Sequence, residues 1–498
     1  MKAGSTALYL WEVMYRAAGS GLGLLLFGLQ VLLGQDIAVS PPQKVASGAA
    51  QFNILGNTPE GILIHYQLRD QHILYAYYPN MQLRWKKTLS LRERQAEIQQ
   101  VLLMTDSLTV LYTISARGQV LLYALRYGLK LEQPSRTVLL DTLTANVLAT
   151  MPQLKVRQSH DQKQLLIWYE DVGFAMNKKF YVCCYDIRLQ RKWKHAVVLQ
   201  DLSDPELIDG IADTVGNLLL AMGDRRNRTT PQTFPYRKLM LLHLQASGVR
   251  HKVPVEAEHV LLSECLLRRT FSGDRVVLSG IYLQAGSRES GGFYFMIYDT
   301  NHDSLVVRSF AGLSPEASDE SGKGASGRTA PLRSYRPVDL VVTRAGGAML
   351  VAEAQDISTE YYPNPAFGTF GMTTGFAVSY FHFDDIAVVS FRPDGQPEWR
   401  KVLRKRQNTE GDGGYYSSIA LHIAPERLYF LFNDFTTGTT VTSFYSLDAN
   451  GSVERNQLFH AERMGLWPVL RQSRQVSNTE IIIPSIRKNY LQFVRVRF

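Results

Sequence analysis

Cysteine is nearly absent: the 498 residues hold three, Cys183, Cys184 and Cys265. That is too few for a disulfide framework, and at most one bridge is available. Long apolar runs are as scarce. A single one, GSGLGLLLFGLQVLLGQ from Gly19 to Gln35, follows Arg16 and gives way at once to polar chain. A membrane span needs roughly 20 apolar residues. This run is shorter and interrupted by glycines, the pattern of a signal-peptide core. Residues 1–35 are therefore expected to be a leader, with Met14 as an alternative start, cleavage after Gln35 and no transmembrane span in the mature chain. The expected location is exported, periplasmic or at the cell surface. No Cys follows the run, which argues against a lipoprotein anchor.

Catalytic and cofactor motifs are missing as well. The 11 His show no HExxH pattern and no pairing at metal spacing, and there is no P-loop and no G-x-S-x-G elbow. No metal site and no cofactor is expected. The net charge of +9 is spread along the chain, without a basic cluster interleaved with aromatics, so nucleic acid is not an expected partner. Nor does any stretch carry the 3.6-residue period of an ordinary helix.

Strand-forming aromatics, by contrast, are abundant, with 25 Tyr and 22 Phe. From Gly61 onward one phrase recurs: a buried strand, a turn, a second strand, a polar turn, then a short strand that often carries Trp. The buried strands are ILIHYQL from Ile62, LTVLYTI from Leu108, QLLIWYE from Gln164 and NLLLAMG from Asn217. RVVLSGI from Arg275, AMLVAEA from Ala348, RLYFLFND from Arg427 and EIIIPSI from Glu480 complete the series. Trp85, Trp193 and Trp399 recur at one place in the phrase, where a periodic aromatic packs one repeat against the next. Repeats spaced about 45 to 80 residues apart fit propeller blades with insertions. The expected fold is all-β, a β-propeller of about eight four-stranded blades, with seven as the alternative. The ring would be closed by DIAVSPP, the N-terminal strand from Asp36, pairing with the last blade and removing the open edges.

The phrase from Ile73, a hairpin turn followed by Trp-Lys, resembles the repeat of quinoprotein-type propellers. Separately, DIAVVSFRPDGQPEWRKVLRKRQ from Asp385, with YYSS at Tyr415 and LYFLFNDF at Leu428, resembles a family of uncharacterised exported Bacteroidetes proteins over about residues 384 to 498. No activity follows from either resemblance. Adjacent cysteines occur in some quinoprotein dehydrogenases, but Cys183 and Cys184 sit inside the strand FYVCCYDI, where alternation sends them to opposite faces.

Function is sought where the repeat is broken. One insertion, 312–336, is rich in Ser and Gly and reads as an excursion between blades. The other, 356–383, is rich in aromatics: Tyr361, Tyr362, Phe367, Phe370, Phe376 and Tyr380 form either a stacking platform or a plug packed over the channel. The loop KRQNTEGDGGYYSS brings Lys405, Arg406, Gln407, Tyr415 and Tyr416 as a second part of the same face, suited to a carboxylate or hydroxylated ligand. The expected function is an exported, non-enzymatic binding or scaffolding module whose partner is a glycan or a protein segment. Alternatives are a propeller hydrolase or lyase acting on carbohydrate, and an outer-membrane barrel, whose terminal strand the ending YLQFVRVRF resembles.

Overall fold

The computed structural model describes residues 35–498 apart from 47, 92–94, 117, 132–136, 145–153, 172–178, 226–235, 258, 285–289, 313–334, 364–374 and 437–438. The strands of these residues fall into eight separate antiparallel sheets, each with its core order first-second-third-fourth strand from the channel outward. Among the described residues there is no α-helix, and no helix long and apolar enough to cross a membrane.

The second strands of the eight blades begin at Gly61, Ser107, Gln164, Leu218, Arg275, Ala348, Arg427 and Glu480. They are the eight apolar segments read from the sequence. A strand second from the channel is covered on both faces by neighbouring blades, so it reads as a continuous apolar run rather than an alternation. Eight apolar cores result, one at each blade junction. Between blades 1 and 2, Leu63, Leu74 and Ala76 meet Leu108, Val110 and Tyr112. Each fully buried side chain of this size stabilises the fold by roughly 1.5–3 kcal/mol. Cys183 enters the core between blades 2 and 3 and Cys184 the core between blades 3 and 4, as alternation requires. All three cysteines are free and buried.

Ring closure joins the two ends of the chain. Asp36–Val39 pairs antiparallel with Tyr490–Arg497, Asp36 opposite Arg497 and Val39 opposite Val494, and becomes the fourth strand of blade 8. Gln43–Lys44 extends that pairing. Blade 8 then packs on blade 1, where Ile482 and Phe493 meet Phe52, Ile64 and Tyr75. The alternation in the C-terminal strand thus serves a blade, and the final ring, Phe498, stacks 4.1 Å from Tyr429 of blade 7.

The outer strands lock the blades laterally. Trp399 Nε1 donates to Ala449 O, 2.9 Å away in the third-to-fourth-strand turn of blade 7. Gly451 in that turn sits at φ +83°, a conformation that strains other residues, and a Cβ there would press on the Trp399 ring at 3.0 Å. Trp193 is buried in the core between blades 3 and 4, and Trp85 packs against the core between blades 1 and 2.

An antiparallel four-stranded blade puts its first-to-second and third-to-fourth connections on one face of the ring. The second-to-third and blade-to-blade connections fall on the other. The first face carries mostly tight turns; the second carries the long connections, including both insertions. The insertion 312–336 lies outside the described residues over 313–334.

Candidate functional site

Blade 6 departs from the pattern on the long-loop face. Its second and third strands, Ala348–Pro363 and Gly375–Phe391, run for 16 and 17 residues, where the mean strand has about 5 or 6. Their inner halves, up to the irregularity between Glu353 and Gln355, belong to the blade. Beyond it the same two strands continue in register, from Gln355 opposite Phe383 to Pro363 opposite Gly375, as an arm standing off the ring. Asn408–Glu410, from the connection to blade 7, pairs with Tyr380–His382 as the third strand of the arm.

The two segments singled out in the sequence are therefore brought together, and the arm's two faces can be assigned from register. One face presents Tyr362, Phe376, Tyr380 and Glu360. The Tyr362 and Phe376 rings stack at 5.6 Å, and the Tyr362 hydroxyl is 2.6 Å from Glu360 Oε2 and 2.8 Å from the Tyr380 hydroxyl. Hydrogen bonding to the Glu360 carboxylate and Tyr380 raises the Tyr362 phenol above its usual range. The opposite face presents Ile357 and Tyr361. Tyr361 is 57% exposed and Phe376 62%. Phe367 and Phe370 lie outside the described residues.

Lys405 and Gln407, expected from the sequence on the ligand face, lie instead inside the base of the arm. Both are buried. Lys405 Nζ is 2.8 Å from Glu353 Oε1 and donates to Phe383 O at 2.7 Å and to Gln407 Oε1 at 2.8 Å. Gln407 Nε2 donates to Asn433 O of blade 7, and its Oε1 also accepts from Ser418 N. Burial pushes the Lys405 ammonium below its usual range, with Glu353 opposing. Charge enclosed this way must be paired, and the network fastens the base of the arm to blade 7.

Arg406 is exposed. Tyr415 and Tyr416 are half-buried and engaged. The Tyr415 hydroxyl donates to Ala50 O at 2.7 Å, just before the first strand of blade 1, and the Tyr416 hydroxyl to Ile486 O at 3.3 Å. A Cβ on Gly414, at φ +67°, would meet Phe383 at 2.7 Å, so this turn lies directly against the arm.

Charged residues also converge on the channel wall. Arg157 Nη2 lies 3.3 Å from Asp209 Oδ1, and Arg268 Nη2 lies 2.6 Å from Asp339 Oδ1 and reaches Asp209 through its other nitrogen. These ion pairs link the first strands of blades 3 to 6. Irregularities before Asp209 and Asp339 break the strand period there.

A concavity lies on the tight-turn face, between blades 4 and 5. It is a polar cleft of about 340 Å³ lined by residues that include Asp213, Asn217, Arg250, Arg269, Asp274 and Asn301. Its residues come from turns and strand ends of two blades, and in the sequence the turn residues among them carry only the signal of turn formers.

No protein-family model matches the chain, and no curated protein matches it. Solved structures similar to it include Chaetomium thermophilum Sqt1 bound to the N-terminus of a ribosomal protein, at 10% identity and TM-score 0.42 over 93% of this chain and 99% of that one. A puromycin hydrolase is similar at 11% identity and TM-score 0.38, over 82% of this chain and 52% of that one. A polysaccharide lyase, an ulvan lyase, is similar at 10% identity and TM-score 0.38, over 79% and 90%. The chain spans about half the length of the prolyl endopeptidase and puromycin hydrolase chains it resembles.

Proposed function

We infer that the protein is a propeller binding module whose blade-6 arm is enclosed by a partner protein. The observation that carries this reading is the two-sided apolar exposure of the arm: Ile357 and Tyr361 on one face, Tyr362 and Phe376 on the other. A flat ligand platform needs one such face. A projection with large exposed side chains on both faces is suited to insertion into a groove, and large aromatics are the side chains that dominate interface energetics. The buried Lys405–Glu353 network supports the reading by holding the arm's base rigid, which lowers the ordering cost of association.

A second reading, a glycan stacked on the Tyr362–Phe376 face, is favoured by the Glu360 carboxylate beside that ring pair. The alternative of catalysis at the channel is supported less, because the charged side chains there are committed to one another. The exported setting expected from residues 1–35, and the resemblance of residues 384–498 to exported Bacteroidetes proteins, are part of this proposal.

A thermal-shift and titration screen of the chain against peptide and glycan libraries tests it, since a ligand that binds only the folded state raises the melting temperature. A peptide hit lost in both Tyr361→Ala and Phe376→Ser supports insertion of the arm. A glycan hit lost only on substitution of Tyr362 or Phe376 supports the second reading. Hits that survive all three substitutions remove the arm as the site.

A further inference from the structure

The cleft between blades 4 and 5 opens on the face opposite the arm, and its chemistry is of a different kind. Its lining is almost wholly polar and carries both signs of charge, so the state of each charge decides what it accepts.

Asp213 is spent on its own turn: Oδ1 accepts from the backbone N–H groups of Val215, Gly216 and Asn217, and Oδ2 from the Asn217 amide. Arg250 gives its Nε to Asp303 Oδ2 at 2.7 Å and an Nη to Asn301 O at 3.3 Å. Asp303 is further committed to His243 Nδ1 and the Tyr298 hydroxyl. Arg269 is different. One of its Nη groups donates to Gly273 O, its buried Nε has no hydrogen-bond partner, and among the described residues no carboxylate forms an ion pair with it. Burial lowers its pKa, with Asp213 only a more distant counter-charge. Arg269 thus brings to the polar cleft a half-buried guanidinium that no carboxylate pairs, the chemistry that takes an anion.

Two further features narrow the class. Asp274, whose Oδ1 accepts from the Ser272 hydroxyl, lines the same cleft and adds an acidic acceptor to it, to which hydroxyl groups would donate. Phe271, which precedes the lining residue Ser272 in the chain, is 72% exposed. An exposed aromatic this close in the chain to a polar cleft is a surface on which the apolar face of a sugar ring can stack.

We propose that this cleft is a second binding site, independent of the arm, for a small polyhydroxylated carboxylate of the sugar-acid class. The ligand carboxylate is taken by Arg269 with Arg250 at its side. Its hydroxyls donate to Asp274 and exchange hydrogen bonds with Asn217 and Asn301, and its ring lies toward Phe271. A neutral sugar leaves the guanidinium uncompensated, and a simple carboxylate gives Asp274 no donor.

Calorimetric titration of the full chain with sodium glucuronate and sodium galacturonate tests the proposal, with glucose and sodium acetate as controls. At least one uronate is expected to bind while glucose and acetate at the same concentration do not. Arg269→Gln is expected to weaken binding by roughly tenfold or more, the scale of one lost charge-assisted contact. Arg250→Gln, at a more exposed position, and Phe271→Ala are each expected to weaken it severalfold, while Leu139→Ala, on the exposed edge of blade 2, leaves it unchanged. Acetate binding as tightly as the uronates, glucose binding as tightly, no uronate binding, or uronate affinity unaffected by both arginine substitutions would each overturn it.

Discussion

Lys405 and Glu353 form an ion pair, Nζ to Oε1 2.8 Å, with neither side chain reaching solvent. Removing one partner leaves the other charge buried and alone. Lys405→Met is therefore expected to destabilise the protein by about 3–5 kcal/mol in denaturant unfolding, and Lys405→Met with Glu353→Leu by clearly less. A double variant as unstable as the single one would show that the cost lies in packing, not in charge.

His65 and His72 in blade 1 stack with ring centroids 5.3 Å apart and share a hydrogen bond, Nε2 to Nδ1, of 3.1 Å. One nitrogen must donate and the other accept, which the neutral pair satisfies. Burial lowers the His65 pKa to about 3 and, despite Asp70, that of His72 as well. A buried neutral imidazole does not take up the proton that the unfolded chain binds below its ordinary pKa of about 6.5, so stability falls as pH drops from there toward 3. His65 alone is expected to cost on the order of 2 kcal/mol at pH 5 relative to pH 7.5. The slope of stability against pH in that window should shrink in His65→Gln, read from urea midpoints at each pH.

Removing residues 1–45 strips the fourth strand from blade 8 and takes Ile37 and Val39 from the core they share with blade 7. The bared edge of Tyr490–Arg497 then has unpaired backbone groups. The truncated chain is expected to lose roughly 3–5 kcal/mol and to associate, which light scattering at increasing concentration reads directly. A stable monomer would mean that the ring holds without its closing strand.

Burial pushes the thiols of Cys183 and Cys265 up to about 12 and that of Cys184 to about 11. A disulfide reagent at pH 8 should titrate none of the three in the native protein and all three in guanidinium. Rapid native reaction of one cysteine would show that its blade junction opens.

The second strands were legible because a strand covered on both faces must be apolar throughout, and ILIHYQL or EIIIPSI admits little else. The channel-lining first strands were not. KVRQ from Lys155 and PELIDGIA from Pro205 mix polar with apolar, and the irregularity at Asp209 breaks the period of two. For the candidate surfaces, the aromatic insertion and the 405–418 loop announced themselves as irregular, and they do meet in one arm. Whether Lys405 faced water or Glu353 was beyond reach, because its partner lies 52 positions earlier in another strand. The cleft gave no signal at all: Arg250 and Arg269 belong to different blades, and Asp213, Asn217 and Asp274 look like ordinary turn residues.

Asp36 opposite Arg497 brings the two ends of the described chain into one sheet, within the reach of a short linker. The ring consequently has no privileged starting point. Joining Arg497 and Asp36 through a few flexible residues and opening the chain instead in a tight turn, such as that between Asp448 and Ser452, would move the seam from blade 8 to blade 7 while keeping every strand neighbour. Such a permuted ring carries the arm and the cleft in their present places but with new chain ends, so tags or fusions can be attached at a chosen blade.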